Sequence, residues 1–311
     1  MNNFSHFSIA AEDVVQSDVQ ARTNDWRLLR RLALPVKLND SRGGPVKHAL
    51  VLDVETTGLS HDADEVIQLA MLPFTYELDT GRILEIDHDR AFEGLREPSV
   101  PISDEASLIT GLTTEMVTGR TINGSVVEAL VADADLIIAH NASFDRVMVE
   151  KHWPCFAEKP WGCTLTSVDW LREGFSAGKL DYLGMQLGWF YNGHRALADC
   201  EACLALLAQE LPQSGQRVMS AVRDAALQDE FLIRAVDAPY DERLKLKERG
   251  YRWRPAELPH GKVWWTITAD PSAEIEWLRS EVYGRDANVP AYKVTALNRF
   301  SERLWQEVTS R

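Results

Sequence analysis

Asp53 and Glu55 flank Val54 at the end of an apolar run, residues 48–55 (HALVLDVE). Side chains two apart in a strand share a face, so both carboxylates would project from one side of a buried segment. Two like charges so placed resist desolvation unless a cation lies between them. Hard oxygen donors at that spacing suit Mg2+ or Mn2+. Taken alone, the pair also describes an ordinary strand end with two solvated acids. Asp145 stands four residues after Asn141, where a helix follows the apolar run LIIAHN. An acid there stabilises a helix N-terminus with no metal involved. His194 sits in an Asn-Gly-His loop, five residues before Asp199. That spacing fits a simple capping arrangement. It also fits an Asp199 that holds a metal beside a His194 that takes a proton from water, a task suited to an unperturbed pKa near ~6.5. Each signal is weak by itself; the three in this order are not.

These side chains need a sheet to hold them. Residues 48–55 read as a buried central strand, 66–74 (VIQLAMLPF) as a second and 82–92 (RILEIDHDRAF) as a third after the turn DTGR. Residues 103–134 hold two helical stretches around the loops TGLT and TGRTINGS. ADLIIAHN is another buried strand, and it runs into a helix over 142–153 whose start is marked by Asn141 and Ser143. Further helices are expected over 163–173 and 180–187, and a long closing helix over 194–211, stopped near Pro212. Strands in succession, then helices, one more buried strand and more helices make an α/β domain with a mixed sheet.

The stretches VLDVETTGLS, IIAHNASFD and HRALADCEACLALL resemble the three exonuclease motifs of the DnaQ-like, DEDDh family, whose members include polymerase proofreading subunits, ribonuclease T and oligoribonuclease. The resemblance covers roughly residues 48–211, about half of the chain, and SDEASLITGLTTEMV is similar to the family's stretch between the first two motifs. Proofreading subunits often have a histidine where this chain has Thr110, a position that is not catalytic. The resemblance implies a ribonuclease H-like mixed sheet flanked by helices. It implies two divalent ions, Mg2+ or Mn2+, on Asp53, Glu55, Asp145 and Asp199, with His194 as general base. It further implies that Thr56, Thr57, Gly58 and Leu59 surround a terminal nucleotide, with Gly58 letting backbone approach a sugar and Leu59 wedging against a base. Asn141 and Phe144 would line the cleft, although Phe144 reads equally well as core. The activity implied is release of nucleoside monophosphates from the 3′ end of a single strand. DNA is preferred to RNA because VETTGLS is closest to the proofreading group. A DNA polymerase or repair complex is the implied protein partner. The competing readings are a non-catalytic nucleic-acid-binding or polymerase-accessory protein, and an interaction module acting through the tail.

Composition bounds the rest. The chain has 311 residues, with 45% hydrophobic and 26% charged, the balance of a globular protein. Its net charge of −14 is awkward for a phosphate-binding protein. The excess is uneven: residues 241–311 carry 13 Lys and Arg against 11 Asp and Glu. Part of the acidity elsewhere is what a carboxylate-built metal site requires. No apolar run approaches the ~20 residues of a membrane span, and the start MNNFSHFSIAAEDVV lacks the features of a signal peptide. Cys200 and Cys203 form a CxxC inside an alanine-rich apolar run, so they read as helix-face thiols; with Cys155 and Cys163 they point to a reducing cytoplasm.

Four regions follow. Residues 1–45 are an N-terminal extension, with a helix expected around NDWRLLRRLAL from the spacing of Trp26, Leu29 and Leu32 among Arg27, Arg30 and Arg31. Residues 46–211 are the exonuclease-like domain. Residues 212–239 are a linker, hinged at QSGQR, with one helix over 218–237. Residues 240–311 are a small α/β module with helices over 241–250 and 272–284, closed by Gly250 and Gly284, and strands YRWRP and KVWWTIT. Strand alternation there would separate a basic face (Arg249, Arg252, Arg254, Lys262) from an aromatic one (Tyr251, Trp253, Trp264, Trp265), the parts that hold single strands. The same tryptophans also suit the module's core.

Overall fold

The computed structural model describes residues 27–308. Strand β1 (Arg30–Arg31) precedes β2 (Val46–Thr56), β3 (Val66–Glu77), β4 (Ile83–Ile86) and β5 (Phe92–Leu95). Helices α1 (Asp104–Thr110), α2 (Thr114–Val117) and α3 (Gly124–Asp133) lead to β6 (Leu136–Ala139), α4 (Ala142–Glu150) and β7 (Trp161–Cys163). Then come α5 (Leu180–Leu187), β8 (Trp189–Phe190), α6 (Ala196–Leu207) and α7 (Val218–Leu227). The remainder holds β9 (Glu230–Ala235), α8 (Arg243–Glu248), β10 (Arg252–Arg254), β11 (Val263–Thr268), α9 (Pro271–Trp277), β12 (Ala291–Val294) and α10 (Arg303–Glu307).

The main sheet runs β4-β3-β2-β6-β7, with β5 on the other half of the long β3. β2 is antiparallel to β3 and parallel to β6, and β6 is parallel to β7, so the sheet is mixed. Its alternating side chains supply two cores. Ala49 and Val51 of β2 face Cys200, Leu204 and Val222 from α6 and α7, whereas Leu50, Leu52 and Val54 face Val127, Met148 and Val149 from α3 and α4. This is the expected mixed sheet flanked by helices. The geometry that matters for function is a length mismatch. β6 pairs with β2 only as far as Val51↔Ile138, while β2 continues to Thr56. Asp53 and Glu55 therefore project from a strand end with a neighbour on the β3 side alone.

Several expectations need correction. The described part of the expected N-terminal helix is extended: Arg30 and Arg31 pair in parallel with Trp189 and Phe190, and Leu32 and Leu34 pack on the core at a strand's spacing of two. Trp26 lies outside the described residues. The third strand is broken into β4 and β5 by a helical turn over His88–Arg90, capped where the Arg90 N–H donates to the Asp87 carboxylate. Residues 163–173 are not a helix; Trp161–Cys163 form β7, drawn into extended pairing with β6, and turns follow. The closing helix ends at Leu207, not at 211.

The hinge-like 213–217 is a hydrogen-bonded turn in which Glu173 accepts from the backbone of Gln213 and Ser214. Beyond it, α7 packs into the main core. The helix expected over 218–237 stops at Leu227, because Leu232 and Ile233 are needed in β9, buried on opposite faces of a second sheet. That sheet has the order β10-β11-β9-β12, antiparallel throughout.

Its two faces are both covered, one by α8, α9 and the π-helix over Leu278–Tyr283 that continues α9, the other by α10. Basic and aromatic faces consequently do not separate. Trp264 joins one core and Trp265 the other, and the guanidinium of Arg254 stacks 4.1 Å from the Trp305 ring centroid. Trp253 stays half exposed beside Trp264. Gly250 and Gly284 do end their helices, both with positive φ. No helix among the described residues is long and apolar enough to cross a membrane.

Candidate metal centre

The end of β2 that β6 leaves open brings three segments together. Carboxylate oxygens of Asp53, Glu55 and Asp199 lie within 4.8 Å of one another. Asp53 and Glu55 share a face because they stand two apart in a strand. Asp199 arrives from the first turn of α6, which is strapped to the sheet where Gln68 accepts the N–H of Ala196 at 3.4 Å. Asp145 comes from the first turn of α4 and is 4% exposed. It joins the same electrostatic cluster.

The cluster is under electrostatic stress. Burial first, then Asp199, pushes the Glu55 carboxyl up to about 7. Burial raises Asp53 far above the ordinary carboxylate range, with Asp145, Asp199 and Glu55 adding to it. Asp145 and Asp199 are raised too, chiefly by burial. Four carboxyl groups drawn together, offset only in part by the Arg195 guanidinium acting on Glu55, are a poor arrangement for a cation-free protein and a good one for a hard divalent cation. The donor set, all oxygen, fits Mg2+ or Mn2+ rather than a thiolate-loving ion.

His194 is exposed on the turn before α6, in the left-handed backbone region at φ 59. A non-glycine residue held there stores strain, a feature that concentrates at functional turns. Two neighbours that sequence reasoning passed over hold this turn. The Tyr191 hydroxyl donates to Asp199 at 2.9 Å, and its ring packs 5.9 Å from that of Trp189. The Arg195 backbone donates to the other Asp199 oxygen at 3.0 Å, and its guanidinium donates to the Thr110 carbonyl. A Cβ added at Gly111, itself at φ +67, would stand 2.8 Å from that guanidinium, so this turn is shaped to receive Arg195. Arg195 stands inside the quoted motif and Tyr191 three residues before it, but the contact of Arg195 with Thr110 spans 85 residues, a pairing that no local spacing announces.

The other expected contact residues divide. Leu59 is 84% exposed beside the site, and Asn141 is exposed with its side-chain oxygen accepting from Ser143. Phe144 is half buried, packed on the α4-side core and 5.6 Å from the His61 ring, so it belongs to wall and core together. Thr56 is buried and donates to the Gly58 carbonyl at 2.6 Å. Thr57 is 1% exposed and donates to Asp64 at 2.7 Å, which makes it a brace of the loop rather than part of its outer surface. A Cβ added at Gly58 would meet the Asp64 carboxylate at 2.6 Å.

A family model described as Exonuclease (RNase_T) matches residues 50–207, which contain every one of these side chains. The chain is 34% identical over 157 residues to a DNA polymerase III PolC-type of Thermotoga petrophila, covering 48% of this chain and 11% of that protein. It is 31% identical over 165 residues to the DNA polymerase III PolC-type of Lacticaseibacillus paracasei, covering 51% and 11%. The chain thus spans about a tenth of the length of these relatives. Among solved structures, an exonuclease X in complex with 5′-overhanging duplex DNA is 24% identical, over 57% of this chain and 99% of that one, at a TM-score of 0.43. An exonuclease I is 17% identical, over 80% and 63%, at a TM-score of 0.46.

Proposed function

The chain belongs to the RNase_T exonuclease family, and from that premise we propose that this nuclease hydrolyses phosphodiester bonds from the 3′ end of single-stranded DNA, releasing nucleoside monophosphates with Mg2+ or Mn2+. The observation that carries the proposal is the convergence of Asp53, Glu55 and Asp199 within 4.8 Å, with Asp145 beside them. The polymer is taken as DNA because the relatives bear the name DNA polymerase III. A DNA polymerase or repair complex is the partner class this reading implies.

Asp53, Glu55, Asp145 and Asp199 would hold two divalent ions, which when bound supply Lewis acidity toward phosphoryl oxygens and relieve the repulsion among the four carboxylates. His194, exposed at the rim, takes the proton from the attacking water as general base. Tyr191 and the Arg195 backbone each occupy one Asp199 oxygen and so fix the orientation of that carboxylate. The exposed Leu59 packs against the terminal base, while Asn141 and Phe144 border the strand's path. Thr56, Thr57 and Gly58 act through the shape of the loop that presents Leu59.

The test is digestion of a 5′-labelled single-stranded DNA with Mg2+ or Mn2+, with EDTA and Asp145→Ala as controls and an RNA of the same sequence in parallel. The expected result is a ladder shortening from the 3′ end of DNA, abolished by both controls. A ladder on RNA alone would overturn the choice of polymer. No cleavage of either polymer with either metal would overturn the assignment of the site.

A further inference from the structure

Arg146 immediately follows Asp145 on α4, and its surroundings are unlike those of any ordinary helix arginine. It is completely buried. Its Nε donates to Glu150 at 2.7 Å, Nη1 donates to the carbonyl of Arg299 at 2.8 Å, and Nη2 donates to that of Leu297 at 2.7 Å. Longer bonds reach the carbonyls of Ala296 and Ala157. Three of these acceptors lie some 150 residues downstream, in the segment that follows β12. A guanidinium has five donors in a planar fork, and here they are spent on closing one loop onto one helix.

The same segment is bound to the first domain at other points. The backbone of Trp161 in β7 donates to the Ala296 carbonyl at 3.2 Å. Phe300, at φ 66, packs into the core shared by β2, β6 and α4. Ser301 donates to Glu150 at 2.6 Å, and Arg303 reaches Glu150 and the Ala157 carbonyl. Arg299 in turn bonds Glu230 and the Gln228 carbonyl, at the start of β9. The segment is thus fastened to the back of α4 on one side and to the second sheet on the other.

We propose that Arg146 is a positioning residue: by tying α4 to residues 296–303, it makes docking of the C-terminal module set the placement of the Asp145 carboxylate opposite Asp53. Consecutive helical side chains point about 100° apart, so Asp145 and Arg146 look toward the site and the module respectively. Asp145 stands on the first turn of α4, next to Arg146, so the position of its carboxylate follows the position of that helix. The inference rests on the reading of Asp145 as a metal ligand. The module is then a structural part of the nuclease and not a tethered accessory.

The experiment uses the full chain with Arg146→Lys, which keeps the charge and loses the fork, and Ser301→Ala, which removes one bond to Glu150. Folding is checked by circular dichroism, Mn2+ affinity by calorimetry, and α4 mobility by amide exchange over residues 147–150. Folded Arg146→Lys is expected to bind Mn2+ about tenfold more weakly, the range found for residues that orient metal ligands. Its kcat should fall by a similar factor with KM within about twofold, and its α4 amides should exchange about tenfold faster. Ser301→Ala should move the same readouts in the same direction by about threefold, and it decides the matter if Arg146→Lys does not fold. Wild-type Mn2+ affinity and wild-type α4 exchange in a folded variant would overturn the proposal. Asp145→Ala separates the two readings: if it binds Mn2+ like the wild type, the ligand assignment fails, and α4 exchange alone then judges the latch.

Discussion

Glu55→Gln should destroy activity and stabilise the metal-free protein. The Glu55 side chain is 8% exposed, and burial together with Asp199 lifts its carboxyl from an ordinary 4.5 to about 7. A carboxyl raised in the folded state binds its proton more tightly there than in the unfolded chain. Stability is therefore complete below pH ~4.5 and declines as the pH rises toward ~7, above which the full penalty is present. The difference of about 2.5 units corresponds to roughly 3 kcal/mol. Glutamine fills almost the same volume without the charge and escapes that penalty. For a chain of 311 residues, an unfolding entropy of ~2.1 cal/mol/K per residue makes each kcal/mol worth about 1.5 °C, so a gain of roughly 5 °C is the upper bound. The assay is thermal unfolding in EDTA at pH 5 and pH 8, followed by the same scans with millimolar Mn2+. At pH 8 in EDTA the variant should melt well above the wild type, and at pH 5 the gap should shrink. Mn2+ should raise the wild type more than the variant, since cation binding offsets the repulsion that Gln has already removed. A variant that melts at or below the wild type at pH 8 in EDTA would refute the account of the site as an electrostatically stressed cation trap.

Tyr191→Phe removes the hydroxyl that donates to Asp199 at 2.9 Å; a bond to a charged acceptor contributes about 1.5–3 kcal/mol, so the variant should melt a few degrees lower, and with Asp199 less firmly oriented its kcat should fall by about tenfold or more, checked by thermal scans and single-turnover kinetics. Gly111→Ala should destabilise by about 1 kcal/mol or more, because it places a Cβ at φ +67 and 2.8 Å from the Arg195 guanidinium; urea melts measure the loss, and an accompanying fall in kcat marks displacement of the His194 turn. His140 is held neutral by burial, its pKa lowered to about 4, while the unfolded chain protonates near 6.5. Stability should then drop by about 1.4 kcal/mol per pH unit between ~6.5 and ~4, and His140→Gln should flatten that slope in pH-dependent melts.

What was legible in the sequence was what depends on short spacings. Asp53 and Glu55 announce a shared face because strand alternation is local, and Val66–Glu77, Leu136–Ala139 and Ala196–Leu207 carry enough apolar periodicity to be found without a partner. The failures share a cause. Arg30–Arg31, Trp161–Cys163 and Glu230–Ala235 are extended because a distant strand pairs with them, and their own residues permit helix as readily. The same division runs through the site. Its carboxylates stand in motifs, whereas the contacts that fix the elements carrying them act across long separations: Arg195 on Thr110, Gln68 on Ala196, Arg146 on Arg299.

A carboxylate cluster of this kind is unstable on its own terms, so something beyond the motif must hold it together while no cation is bound. In this protein that restraint comes from β3, from the turn before α6, and from a segment near the other end of the described chain. Substitutions at these supports should alter metal dependence before they alter substrate binding, because they touch the ligands and not the strand's path. A support variant that raises KM with an unchanged Mn2+ requirement would contradict that ordering and would place the support on the nucleic-acid path instead.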